Sequence, residues 1–325
     1  MKNYKNKILL IACTCLSLLT ISLLFMAAKN KQYASNPGLP TADTTLIHQH
    51  LTKITKTDGY RTHTNTKVLN QVAAYIHDKL GQYADETHYQ DYEAKGSTYR
   101  NVVATFKSKK ANAKTIVIGA HYDACGDQEG ADDNASGVVG LLELARLLEG
   151  KRLDYNIEMV AYSLEEPPFF RTDKMGSYIH ATSVLDRKDQ IYGMICLEMI
   201  GYFDSRPNTQ DYPLGFLSAI YGNKGDYITL VRKFASGGFA RKFSRKFRGL
   251  NFIKTKQFIG PTMLQGIDFS DHLNYWKYGI SALMITDTAF YRNKNYHQKT
   301  DTMDTLDLPK MAKVIDSVYQ ALLAM

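Results

Sequence analysis

The spacing of hydrophobic residues changes repeatedly along this chain. Over residues 67–83, Val68, Leu69, Val72, Tyr75, Ile76 and Leu80 recur three and four positions apart, which lines one face of a helix. Residues 101–106 and 115–120 are instead short apolar runs rich in β-branched side chains, as buried strands are. Similar runs at 157–163, 191–197, 214–221 and 279–286 predict further strands, and the patterns at 135–148 and 308–323 predict helices. The alternation predicts an α/β fold, a three-layer α/β/α arrangement around a mixed, mostly parallel central sheet.

Ahead of this region, Lys2, Lys5 and Lys7 precede an uncharged stretch over residues 8–28 that is long enough to cross a bilayer as a helix. It ends in Leu24, Phe25, Met26, Ala27 and Ala28 without a clean small-x-small cleavage site, so an uncleaved transmembrane anchor is expected. The alternatives are secretion after signal-peptide cleavage and, on the pattern Leu10-Ile11-Ala12-Cys13, lipidation. The lysines before the stretch outweigh Lys29 and Lys31 after it, which places the N-terminus in the cytoplasm and the bulk of the chain outside the inner membrane, in the periplasm. Residues 1–7 then form a cytoplasmic tail, 8–28 the anchor, 29–41 a polar, proline-containing linker and 42–325 one catalytic-sized domain.

Composition narrows this further. With 44% hydrophobic and 22% charged residues the chain is globular, not disordered. The formal charge of +8 comes from scattered lysines without a recognition module, so no nucleic-acid partner is expected. The one basic run, Arg241, Lys242, Arg245, Lys246 and Arg248, is interleaved with Phe239, Phe243 and Phe247 at four-residue spacing and reads as an amphipathic helix with a solvated face. Cys13 and Cys15 fall in the apolar stretch, leaving Cys125 and Cys196, which form no disulfide framework and read as packing residues. No feature sets an oligomeric state.

The polar residues carry the chemistry. Four apolar runs end in His121-Tyr122-Asp123, Glu165-Glu166, Glu198 and Thr286-Asp287, and in open α/β sheets ligands gather beyond the carboxyl ends of the strands. Between the first two lies Gly130-Ala131-Asp132-Asp133-Asn134-Ala135-Ser136-Gly137, directly before an apolar helix. Taken singly, a histidine after a strand is an ordinary loop residue and Asp-Asp-Asn an ordinary helix cap. Two adjacent glutamates at a strand end are different, because they repel unless a cation or a shared proton compensates.

Taken together, the segments HYD, GADDNASG, the Glu pair, LEMIGY and a late Tyr-His resemble the di-zinc aminopeptidase family of metallopeptidases, family twenty-eight, over roughly residues 95–325. That resemblance implies two zinc ions per chain, one on His121 and Glu198, the other on Glu166 and His297, with Asp132 bridging both. It departs from the prototype at Glu198, where an aspartate is usual. It makes Glu165 the general base that works on a metal-activated water, and Asp123 and Asp271 supporting carboxylates beside the ligands, with His272 structural. Imidazole and carboxylate donors suit zinc. The implied activity is a zinc-dependent exopeptidase acting on peptide substrates, most simply an aminopeptidase. The alternatives are a glutaminyl-peptide cyclase using a single zinc and a metal-free binding domain on the same scaffold.

Overall fold

The computed structural model describes residues 38–325. The expected cytoplasmic tail and anchor, and most of the linker, lie outside the described residues, among which no helix is long and apolar enough to cross a membrane.

Asp43 starts α1 (Thr44–Thr55), the first helix among the described residues, by accepting the amides of Thr45 and Leu46. This helix buries Ile47, Leu51 and Ile54. In α2 (Thr66–Gly81), Val68, Leu69, Val72 and Ile76 face inward at the expected helical spacing. The chain then turns into a hairpin of β1 (Glu86–Ala94) and β2 (Ser97–Phe106). Lys95 and Gly96 sit at φ 47 and 76, the left-handed pair that a two-residue hairpin turn of matching twist requires.

Six more strands complete one sheet: β3 (Thr115–His121), β4 (Asn156–Tyr162), β5 (Ile191–Glu198), β6 (Ile228–Lys233), β7 (Thr255–Gly260) and β8 (Ala282–Thr286). Their order is β1-β2-β4-β3-β5-β8-β6-β7. The central block β4-β3-β5-β8 is parallel throughout, whereas β2 joins it antiparallel on one side and β6 on the other. The mixed, mostly parallel sheet read from the sequence is therefore present. Its parallel block lets four separate strand ends meet at one edge.

Helices cover both faces, which is why β3 is buried at every position. On one face α4 (Gly176–Ser183) and α7 (His272–Lys277) enclose Val103, Val117, Met194 and Met284 with Tyr275 and Trp276. The remaining long helices are α3 (Gly137–Leu147), α6 (Gly237–Leu250) and α8 (Leu308–Leu323). In α6 the three phenylalanines are buried, so the basic run is the outer side of an ordinary amphipathic helix.

One strand expectation is corrected. Within residues 214–221 the structure has a short helix, α5 (Leu217–Tyr221), and only Leu217 is buried, while Leu214 and Phe216 are 42% and 62% exposed. The run is apolar yet has no neighbouring strand to pair with. Conversely, β1 was not anticipated, because its ETHYQDYEA sequence is polar and all but Ala94 is exposed or half-exposed; the hairpin with β2 holds it in place.

Candidate metal centre

His121 ends β3, Glu198 ends β5, Glu165 and Glu166 follow β4, and Asp287 follows β8. Sharp reversals present these groups. Leu164, just before the glutamate pair, has φ 61, Met199, just after Glu198, has φ 48, and His297 itself has φ 56. Left-handed backbone at such residues costs on the order of 1–3 kcal/mol and persists where surrounding structure over-determines it, commonly at functional sites.

The side chains converge around Asp133. One of its oxygens, Oδ1, lies 3.4 Å from His121 Nε2, and the other, Oδ2, lies 3.2 Å from His297 Nε2. Glu198 Oε2 is 3.3 Å from the same nitrogen of His121, and Glu166 Oε2 is 3.2 Å from that of His297. Glu165 Oε2 stands 3.8 Å from His121 Nε2. Two clusters thus share one aspartate: His121, Asp133 and Glu198 on one side, His297, Asp133 and Glu166 on the other.

The shared position belongs to Asp133 and not to Asp132, correcting the expectation. Asp132 is turned away, its Oδ1 accepting the Gly201 amide at 3.0 Å and its Oδ2 the Asn293 amide group at 2.8 Å. Adjacent acids in an irregular turn point to different sides, and Asp301 fixes this turn by accepting the backbone amides of both, at 2.9 and 3.0 Å. Buried Arg61 holds its entry, donating to the carbonyls of Tyr122, Glu129 and Gly130.

Burial pushes Glu165 well above the usual carboxylate range against the pull of His121, takes Glu166 up to about 8, and raises Glu198. Burial also opposes ionisation of Asp133, but the adjacent His121 and His297 outweigh it and hold this carboxyl low. Both imidazoles are raised despite burial, His121 by Glu198 and Glu165, His297 by Asp133, Cys125 and Glu166.

Four acids sharing two imidazoles in a water-poor crevice are short of positive charge. Glu166 Oε1 is buried without a hydrogen-bond partner, and the one imidazole nitrogen His297 Nε2 faces two carboxylate oxygens, Asp133 Oδ2 and Glu166 Oε2, each at 3.2 Å. Nitrogen and oxygen donors so placed fit zinc: ligand atoms of His121, Asp133 and Glu198 lie within 4.8 Å of one another, and Asp133 Oδ2 also lies 3.2 Å from His297 Nε2.

Neighbouring residues hold these groups in place. Asp123 Oδ1 is 3.4 Å from His121 Nδ1, and its two oxygens accept the amides of Glu165 and Glu166 at 3.2 and 3.0 Å, tying the glutamate pair to β3. Asp271 is buried nearby, pushed by burial to about 7, and makes no hydrogen bond to any of the clustered side chains. His272 bonds the Ile267 carbonyl and packs on Trp276, away from the cluster. Sequence reasoning missed Ser270, whose hydroxyl donates to Glu198 Oε2 at 2.6 Å, and Tyr296, whose ring stacks on His297 at 3.8 Å. Ser270 directly precedes Asp271 and Tyr296 directly precedes His297, and that adjacency was the available signal.

Beside Glu198 opens a pocket walled by Tyr212, Tyr221, Tyr227, Phe258 and Phe290, with Lys256 in its lining. The lysine ammonium donates to the Tyr221 carbonyl and lies 3.6 Å from the centre of the Tyr227 ring.

The sequence profile of Peptidase family M28 matches residues 101–322. The Escherichia coli (strain K12) protein called Uncharacterized protein YfbL is 44% identical over 277 residues, covering 83% of this chain and 84% of that protein. Leucine aminopeptidase 1 of Ajellomyces capsulatus (strain H88) is 24% identical over 229 residues, 65% of this chain, and the match spans about half, 52%, of the fungal protein. Among solved structures, a leucine aminopeptidase precursor from Bacteroides thetaiotaomicron VPI-5482 superposes with a TM-score of 0.65 at 20% identity, covering 89% of this chain and 99% of that one. Tannerella forsythia glutaminyl cyclase gives 0.63 at 20% identity, covering 88% and 100%. These two structures share the fold with this chain, and fold alone does not choose between their reactions.

Proposed function

This chain belongs to Peptidase family M28, and from that premise we propose that it is an aminopeptidase that holds two zinc ions and removes N-terminal residues from peptides. The observation that carries the reading is Asp133, whose two oxygens face two separate histidine-carboxylate groups. His121, Asp133 and Glu198 would hold one ion, Asp133, Glu166 and His297 the other. Bound zinc supplies Lewis-acid polarisation of the scissile carbonyl and of the attacking water.

The chain's own groups do the rest. Glu165 stands beside both clusters without the close imidazole contact that Glu166 and Glu198 make. Its carboxylate takes the proton of the attacking water and returns it to the nitrogen of the departing amine. Asp123 keeps it in reach by binding its backbone amide. The strained backbone at Leu164 aims the same pair of glutamates inward.

The aromatic pocket receives the side chain of the residue to be released. Its aromatic walls favour large apolar groups. As part of the same proposal, residues 8–28 tether the enzyme to the inner membrane with the site on the periplasmic side.

The second reading, cyclisation of N-terminal glutamine with one zinc, draws support from the likeness to the cyclase fold. A carboxylate shared between two ligand groups favours the hydrolase. Incubating the full-length chain with aminoacyl chromogenic substrates and with a glutaminyl peptide separates them: release of free amino acids supports the proposal, and pyroglutamate formation without hydrolysis contradicts it.

A further inference from the structure

Cys125 lies four residues beyond His121, past the end of β3, and is a free, half-buried thiol. Its sulfur, a Glu166 oxygen and a His297 ring nitrogen all lie within 4.8 Å of one another. Zinc bonds of about 2.3 Å to sulfur and about 2.0–2.2 Å to nitrogen and oxygen bring tetrahedral donors to somewhat shorter separations, within reach of side-chain rotation. Glu166 Oε1 is buried with no hydrogen-bond partner, and His297 Nε2 stands 3.2 Å from carboxylate oxygens of Asp133 and Glu166. The thiol therefore sits beside polar, metal-competent donors, not in an apolar packing niche.

We propose that Cys125 is a protein ligand of the ion held by Glu166 and His297. The proposal rests on the reading that this chain binds zinc. With Asp133, whose Oδ2 lies 3.2 Å from His297 Nε2, that centre would have four protein donors, Cys125, Asp133, Glu166 and His297, the number that fills a tetrahedral zinc site. The other centre, His121, Asp133 and Glu198, keeps an open position. Glu165 lies within reach of both centres, 3.8 Å from His121 Nε2 and within 4.8 Å of a Glu166 oxygen. A thiolate ligand also makes the closed centre selective for soft metals and open to oxidation or alkylation.

The test is stepwise loading of the metal-free full-length chain with cobalt(II), followed by electronic absorption, in the native chain and in Cys125→Ser and Cys125→Ala variants. The expected result is a near-ultraviolet thiolate-to-cobalt band in the native chain that both variants lose while they keep the visible cobalt bands and the native circular-dichroism spectrum. Zinc affinity at one of two sites should fall at least about tenfold in the variants. Cobalt bound with no thiolate band, or a band that persists in both variants, overturns the assignment of Cys125 and leaves the peptidase reading standing. A native chain that binds neither cobalt nor zinc overturns both.

Discussion

Asp132 and Asp133 are neighbours in sequence and serve opposite sides of one turn: Asp133 lies 3.4 Å from His121 and 3.2 Å from His297, while Asp132 accepts the Gly201 amide at 3.0 Å. The pair sits in an irregular turn, Ala131–Ser136, anchored by Asp301. If Asp133 is the shared ligand, Asp133→Asn removes a donor from both centres. We expect that variant to fold, to bind at most one zinc and to lose more than about 100-fold in kcat/KM, beyond the loss typical of a supporting partner. Asp132→Asn should retain two ions and lose stability instead. Equilibrium dialysis with zinc and kinetics on both proteins make the comparison.

Glu165→Gln tests the proton carrier. The carboxamide keeps the shape and the amide contact to Asp123 but cannot accept the water's proton. Turnover should fall by on the order of 10²–10⁴-fold with zinc content unchanged and KM little altered. A variant that loses zinc along with activity would make Glu165 a ligand.

Lys256 stands among the aromatic side chains of the pocket wall, and burial pushes its ammonium down to about 8. Lys256→Met removes that positive charge from among the tyrosines. The ratio of kcat/KM for leucyl over glutamyl substrates should rise about tenfold, the scale of discrimination that a changed hydrophobic pocket contact supplies. An unchanged ratio would remove this pocket from substrate side-chain recognition.

Much of the sheet and its site was legible because the chemistry follows the strands. Each of β3, β4 and β5 is a mostly apolar run with a histidine or acids at or just beyond its end, so His121, Glu165, Glu166 and Glu198 could be read directly. The choice between Asp132 and Asp133 was not legible, since local pattern does not say which way two successive side chains leave an irregular turn. The helix at 217–221 was misread because an apolar run was taken for a strand, whereas Leu214 and Phe216 remain on the surface. Cys125 was read as packing because its closeness to His297 depends on a loop far away in sequence.

Away from the metal centre, Glu158 links β4 to the segment after α4. Its carboxylate accepts Arg187 at 2.8 and 3.0 Å and lies 3.3 Å from His180 Nε2. Burial opposes its ionisation, but His180 and Arg187 hold its pKa down to about 2, from an ordinary 4.5. A depressed folded-state pKa gives stability that is full above pH 4.5 and is lost as pH falls toward 2. Urea unfolding across that window should show the native chain weakening with acid. Glu158→Gln should be weaker at neutral pH by on the order of 1–3 kcal/mol and flatter through the window.

The most direct test of the central claim is the zinc content of the full-length chain, purified in mild detergent, measured by elemental analysis beside hydrolysis of leucyl substrates. The account predicts two zinc ions per chain, loss of hydrolysis on chelation and its return when zinc is restored. A chain that carries no zinc, or that hydrolyses these substrates equally well after chelation, would contradict it.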